Sequence, residues 1–229
     1  MPQLALNRRL ARPALAASCA LLYLFTAAPA PIQAQEAEPA PQGVERIHFA
    51  FQGRFAEAFF GSLDETGCIV TSVGIFAVEG RTKEKGRPER ASTVSITVTR
   101  LDACRGLELM GADGTFGFGN GALGEQLVID QKLRRATLTA PIQVYDAIND
   151  AFIDLHVQVT WTAAGDPFRV KEHFHVKQPG FWVNSRFDGT FRRATAAATV
   201  WDGSTNLTPH PTDSADTGSV RQGEIIVLR

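Results

Sequence analysis

Between Asp150 and Phe191 apolar and polar residues alternate strictly. The apolar positions are odd at Ile153, Leu155, Val157, Val159 and Trp161, even at Phe168, Val170, Phe174 and Val176, and odd again at Phe181, Val183, Phe187 and Phe191. A period of two sends successive side chains to opposite faces, so each run predicts a half-buried strand. The interruptions Ala164-Gly-Asp-Pro and Gln178-Pro-Gly read as turns, which predicts a three-stranded antiparallel meander. Its outer face then carries His156, Gln158 and Thr160, next Arg169, Lys171, His173, His175 and Lys177, and last Trp182, Asn184 and Arg186. A one-residue slip would turn an apolar set to water, so the register joins odd to even positions and brings His156 beside the His173 and His175 pair.

The same alternation recurs on both sides of this stretch. Ile47, Phe49, Phe51, Phe55 and Phe59 predict one long strand beginning near Val44 and bent at Gly53, because glycine inside a strand marks a bulge. Cys68 to Val78 and Thr93 to Leu101 predict two strands joined by a hairpin tip, Gly80 to Arg90, whose mixed charges read as a solvated surface. Leu127 to Asp130, Ala136 to Tyr145, Ala194 to Trp201 and Ser219 to Leu228 add further strands, with Asp202 to Gly218 as a polar loop. About ten strands and no amphipathic helix predict an all-β fold: an antiparallel β-sandwich or jelly roll, with a closed barrel as the second architecture.

Residues 1–34 read as an export signal, in which Arg8, Arg9 and Arg12 precede the apolar run Pro13 to Ala30 and small residues lead to a cleavage point near Ala34. Pro29 and Pro31 close the run and no second long apolar segment follows, which argues against a spanning helix in the mature chain. A twin-arginine signal lacks its aromatic at Leu10-Ala11-Arg12, and a lipid anchor at Cys19 lacks the Leu-like residue where Ala16 stands. Residues 35–43 are a Pro, Ala and Glu lead-in of flexible composition, which leaves residues 44–229 as a single β domain. The chain has 23 basic and 24 acidic residues, and loss of the leader's three arginines leaves 20 against 24, a net charge of −4 that favours neither nucleic acid nor an anionic membrane. Export also leaves Cys68 and Cys104 as an even pair in an oxidising compartment, secreted or periplasmic. Antiparallel strands with Cys68 opposite Cys104 set Phe76 against Ile96 and Val78 against Val94, so the pattern predicts a disulfide in that register.

Candidate chemistry is sparse. There is no Gly-x-Ser-x-Gly elbow and no His-Glu-x-x-His, and a bridged Cys68 removes a Cys–His pair. Gly111 to Gly124 is rich in glycine, but neither Gly-Lys-Ser/Thr nor a helix pattern follows, so its glycines read as sharp turns and close strand approach rather than a phosphate loop. Asp146, Asn149, Asp150 and Asp154 offer oxygens of the type calcium accepts, at a spacing that suits a turn better. Asn206-Leu-Thr is a glycosylation sequon. The outer face is the better lead: Trp182 supplies a flat aromatic surface, and Asn184, Gln158 and Arg186 supply hydrogen-bonding groups. That mixture suits a glycan or an extracellular protein and predicts a secreted, non-catalytic binding module without a cofactor. The alternative is a metal-binding protein or zinc enzyme, in which His156, His173 and His175 form a three-histidine set with an open fourth position. Arg169, Lys171 and Lys177 on the same face oppose a divalent cation.

Overall fold

The structure is a computed structural model that describes residues 46–83, 88–117, 123–178, 181–210 and 212–228. The leader and lead-in expected at residues 1–43 lie outside the described residues. Ten strands follow one another among the described residues: β1 (Arg46–Leu63), β2 (Ile69–Lys83), β3 (Glu89–Asp102), β4 (Leu107–Phe116), β5 (Leu127–Ile129), β6 (Arg135–Asp146), β7 (Ala151–Ala163), β8 (Phe168–Gln178), β9 (Phe181–Trp201) and β10 (Thr212–Leu228). The only helical turn among the described residues is a 3-10 turn at Gly124–Gln126. The fold is therefore all-β and antiparallel, as the alternation predicts. Its strands form one sheet whose ends meet: β1, β2, β3, β4, β6, β7, β9 and β10 pair in that order and β10 returns to β1. Of the architectures open to the sequence, the closed barrel describes this pairing.

The sheet changes the face it buries partway along its long strands. Directly opposed residues in an antiparallel ladder point to the same side. One row runs Ala194, Ala215, Ala58, Ile75, Ile96 across β9, β10, β1, β2 and β3, and every member is buried in the barrel core. Another runs Phe168, Phe191, Gly218, Phe55, Val78 across β8, β9, β10, β1 and β2. Along β9, Phe191 and Ala194 are three positions apart, an odd number, so the two rows lie on opposite faces. The second row belongs to a separate aromatic cluster: Phe55 meets Phe191 edge-on at 5.0 Å and Phe76 at 5.9 Å, while Phe187 and Phe168 lie 5.7 and 6.0 Å from Phe191. Phe51, Phe55, Phe187, Phe191 and Val220 are all buried there. Glycine is required beneath these rings. At Gly218 a side chain would collide with Phe55, and at Gly189 a Cβ would fall 2.8 Å from the Phe187 ring.

This inversion accounts for the departures from the sequence reading. Strand β7 does not form a hairpin with β8. It pairs with Ala194–Trp201 of β9, while β8 pairs with Phe181–Phe191, so the two lie end to end along the same side of β9. The segment Ala164-Gly-Asp-Pro is a kink in a through-running line, fastened where Ala164 N–H donates to Arg193 O at 2.8 Å and Arg192 Nε donates to Gly165 O at 2.7 Å. A Gly-Asp-Pro sequence interrupts a ladder but does not dictate reversal. Ala194–Trp201 is the second half of β9 rather than a strand of its own, and β10 begins at Thr212, inside the segment that reads as a loop. The Gly111 stretch also enters a strand, β4, as far as Phe116.

Cys68 and Cys104 form the expected disulfide, with their Cα atoms 5.2 Å apart. The register differs by one residue from the expected one, since Ile75 faces Ile96 and Ala77 faces Val94. The odd positions Val73, Ile75 and Ala77 are the ones that enter the barrel core. The bridge sits outside the ladder, beyond Ile69 and Asp102, where no register is imposed on it. Trp161 is the largest fully buried side chain; its indole Nε1 donates to Glu57 O at 2.9 Å. The small residues Ala136 and Ala196, opposite it on either side, leave the volume that it fills.

Candidate functional site

The outward faces carry what chemistry the chain offers, and they divide in two. On β8 and β9 the opposed pairs are Lys177 with Trp182, His175 with Asn184, His173 with Arg186 and Lys171 with Asp188. This strand pairing places the predicted residues Trp182, Asn184, Arg186, His173 and His175 on one surface. Trp182 Nε1 donates to His175 Nε2 at 3.0 Å, and the two rings meet edge-on at 5.6 Å. His173 Nε2 and Asn184 Oδ1 are hydrogen-bonded at 2.7 Å. At the end of this ladder Asp188 accepts from Arg169 at 3.0 and 2.8 Å and from Arg221 at 2.8 Å. The hydrogen bond from Arg169, then that from Arg221, hold the Asp188 carboxyl far below its ordinary range. Lys171, Glu172, His173, Arg186, Phe187 and Asp188 line a hollow of about 360 Å³ on this surface.

Gln158 and His156 are not part of it. Because β7 lies beyond the kink, His156 opposes Trp201 and Pro141, and Gln158 opposes Thr199 and Thr139. The three histidines are thus divided between two stretches of sheet, and no group of three or more His, Cys, Asp or Glu among the described residues is arranged to hold a metal. Around His156 and Gln158 the side chains of Gln126, Thr139, Ala140, Pro141, Val157, Thr199 and Trp201 complete an open groove of about 520 Å³. The sequence reading assigns Trp201 no role. Its signal was present: Ala194, Ala196 and Val200 are buried even positions, so Trp201, an odd one, faces out.

The acidic turn after β6 has a structural task. Asp146 Oδ1 accepts from the backbone N–H groups of Gly111 at 3.1 Å and Ile148 at 3.0 Å, and Asp146 Oδ2 accepts from Asn149 Nδ2 at 2.6 Å. Asn149 Nδ2 also reaches Leu109 O at 3.0 Å. Among the described residues the β4 to β6 seam joins only Ala112 with Asp146 and Asp113 with Tyr145, so this turn staples a short joint of the ring. Burial pushes the Asp146 carboxyl up, but the Asn149 side chain and the Gly111 and Ile148 backbone outweigh it and hold it below its ordinary value. Asp150 and Asp154 are likewise engaged, by Tyr145 at 2.6 Å and Gln143 at 3.0 Å. At the sequon, Asn206 Oδ1 accepts from Thr208 N–H at 3.1 Å and Thr208 Oγ1 donates to Ala198 O at 3.1 Å, so both side chains serve the loop.

A second feature absent from the sequence reading is a pair of carboxylates, Glu57 buried and Asp216 half-buried. Glu57 on β1 opposes Asp216 on β10, which opposes Arg193 on β9. Arg193 Nη1 bridges to Asp216 Oδ2 at 3.1 Å. Burial, then the neighbouring Asp216, push the Glu57 carboxyl up to about 7, against the opposing pull of Arg193. The signal was a glutamate on the same parity as Phe51, Phe55 and Phe59.

Compared with known proteins, the chain matches no protein-family model, no curated protein and no solved structure. What the fold and the outward residues define is a class: a disulfide-bonded, all-β antiparallel domain. No helix among the described residues is long and apolar enough to cross a membrane.

Proposed function

We propose that the protein is an exported, non-catalytic β-domain that binds a glycan or an extracellular protein on the outward face of β8 and β9. The observation that carries this reading is the hydrogen-bonded ladder of Trp182 with His175 and Asn184 with His173. Side chains already held in place lose little freedom when a ligand arrives, which is how a surface comes to favour binding. Lys171, Lys177 and Arg186 line the same face, so the reading favours ligands rich in acidic or hydrogen-bond-accepting groups. The basic leader and the disulfide support an exported setting.

The test is titration of the folded mature protein with a panel of acidic and neutral oligosaccharides, read by chemical-shift changes at β8 and β9. Trp182→Ala should weaken the ligand found there by about 1 to 3 kcal/mol, the loss expected of an aromatic anchor, with the thermal midpoint unchanged. A ligand held equally well by Trp182→Ala and Arg186→Ala would show that this face is not the site.

A further inference from the structure

We propose that the groove on the outside of the barrel between β6, β7 and β9 is a second ligand site, and that its ligand is an uncharged saccharide. This inference stands apart from the β8 and β9 reading, since it uses different residues on a different stretch of sheet. The groove is built from two adjacent rows. One is Pro141, His156, Trp201 and the other is Thr139, Gln158, Thr199. Trp201 is 40 % exposed, enough of its indole face for a sugar ring to stack on it. The next row supplies two hydroxyls and an amide, groups that both donate and accept hydrogen bonds, as the hydroxyls of a sugar require.

Two properties separate this groove from the rest of the surface. Lysine, arginine, aspartate and glutamate make up 21 % of the chain, yet none is among the residues that line it. A site without fixed charge has nothing to pair with a carboxylate, sulfate or phosphate, which selects a neutral ligand. The acid in the next row on the same face, Asp154, is engaged by Gln143 at 3.0 Å. The second property is availability. On β8 and β9 His173 is bonded to Asn184 and Trp182 to His175, whereas no described protein group hydrogen-bonds to the side chains of Thr139, His156, Gln158 or Thr199, all of which are exposed. Their hydrogen bonds now go to water, and a saccharide hydroxyl can take over each of them.

The experiment uses the full disulfide-bonded domain, titrated with neutral β-1,4 and α-1,4 glucose oligosaccharides and with oligogalacturonate as the acidic counterpart. Chemical-shift changes on β6, β7 and β9 should appear with a neutral oligosaccharide, and the affinity should be the same at low and high salt. Trp201→Ala and Gln158→Ala should each weaken it about tenfold or more, while Trp201→Phe, which keeps a stacking face, should retain most of the binding. Trp182→Ala should have no effect on it. The proposal is overturned if no neutral oligosaccharide of the panel shifts these residues, if oligogalacturonate is the ligand that does, or if folded Trp201→Ala binds as the parent does.

Discussion

Replacing Glu57 with glutamine should stabilise the protein above neutral pH and leave it nearly unchanged in acid. Glu57 is only 7 % exposed, beside Asp216, with one guanidinium to serve both carboxylates. Its carboxyl rises from the ordinary 4.5 to about 7 in the folded protein. A raised folded-state value means that the folded protein holds this proton more tightly than the unfolded chain does. Below pH 4.5 the group is protonated in both states and costs nothing. Between 4.5 and 7 the unfolded chain ionises while the folded one does not, and stability falls as pH rises. Above 7 the full cost is present, about 3 kcal/mol at about 1.4 kcal/mol for each tenfold change in proton affinity. Glutamine has nearly the same shape and no proton to lose, so Glu57→Gln should recover most of that energy at pH 8 and little at pH 4. Urea unfolding of both proteins at the two pH values, with the disulfide intact, measures the difference directly. An equal effect at pH 4 and pH 8, or a loss of stability at pH 8, would refute the assignment.

The 36-residue separation of Cys68 and Cys104 gives a chain-entropy stabilisation of about 3 to 4 kcal/mol. Thiol titration of unfolded, unreduced protein spanning residues 35–229 should find essentially no reactive cysteine, and reduction should lower the urea midpoint accordingly. Asp146→Ala removes three accepted hydrogen bonds at the narrow β4 to β6 seam and should cost about 2 to 4 kcal/mol. Hydrogen exchange at the amides of Gly111 and Ala147 should quicken well before exchange elsewhere in β6, and uniform quickening would mean that the seam is not a local staple.

Part of the candidate site was legible because it depends on one strand and its immediate partner. The parity of β8 and β9 places Trp182, Asn184, Arg186, His173 and His175 on one surface whichever strands lie further away. His156 and Gln158 were not so legible. Their position depends on whether Ala164-Gly-Asp-Pro reverses the chain or lets it pass, and a local sequence cannot distinguish the two. The same segment could serve a hairpin or a kink, and the outcome depends on Arg192 and Arg193, which bond to it across separations of 27 and 29 residues. Glu57 and Asp216 lie 159 positions apart and meet only because β10 closes the ring on β1.

The sequence by itself determined the all-β class, most of the stretches that become strands, β4 excepted, the pairing of Cys68 with Cys104 and the outward set on β8 and β9. These follow from alternation and from the count of cysteines, and alternation is a property of the chain segment alone. Tertiary structure decided which face each half of a long strand buries. Phe55 and Ala58 belong to one strand, as do Phe191 and Ala194, yet each pair contributes to two different apolar clusters on opposite faces of the sheet. In sequence that change of parity looks like the end of one strand and the start of another. It becomes a continuous strand only when neighbours supply an apolar cluster for each half, since burial of both halves outweighs the cost of carrying the backbone through the line where they change over.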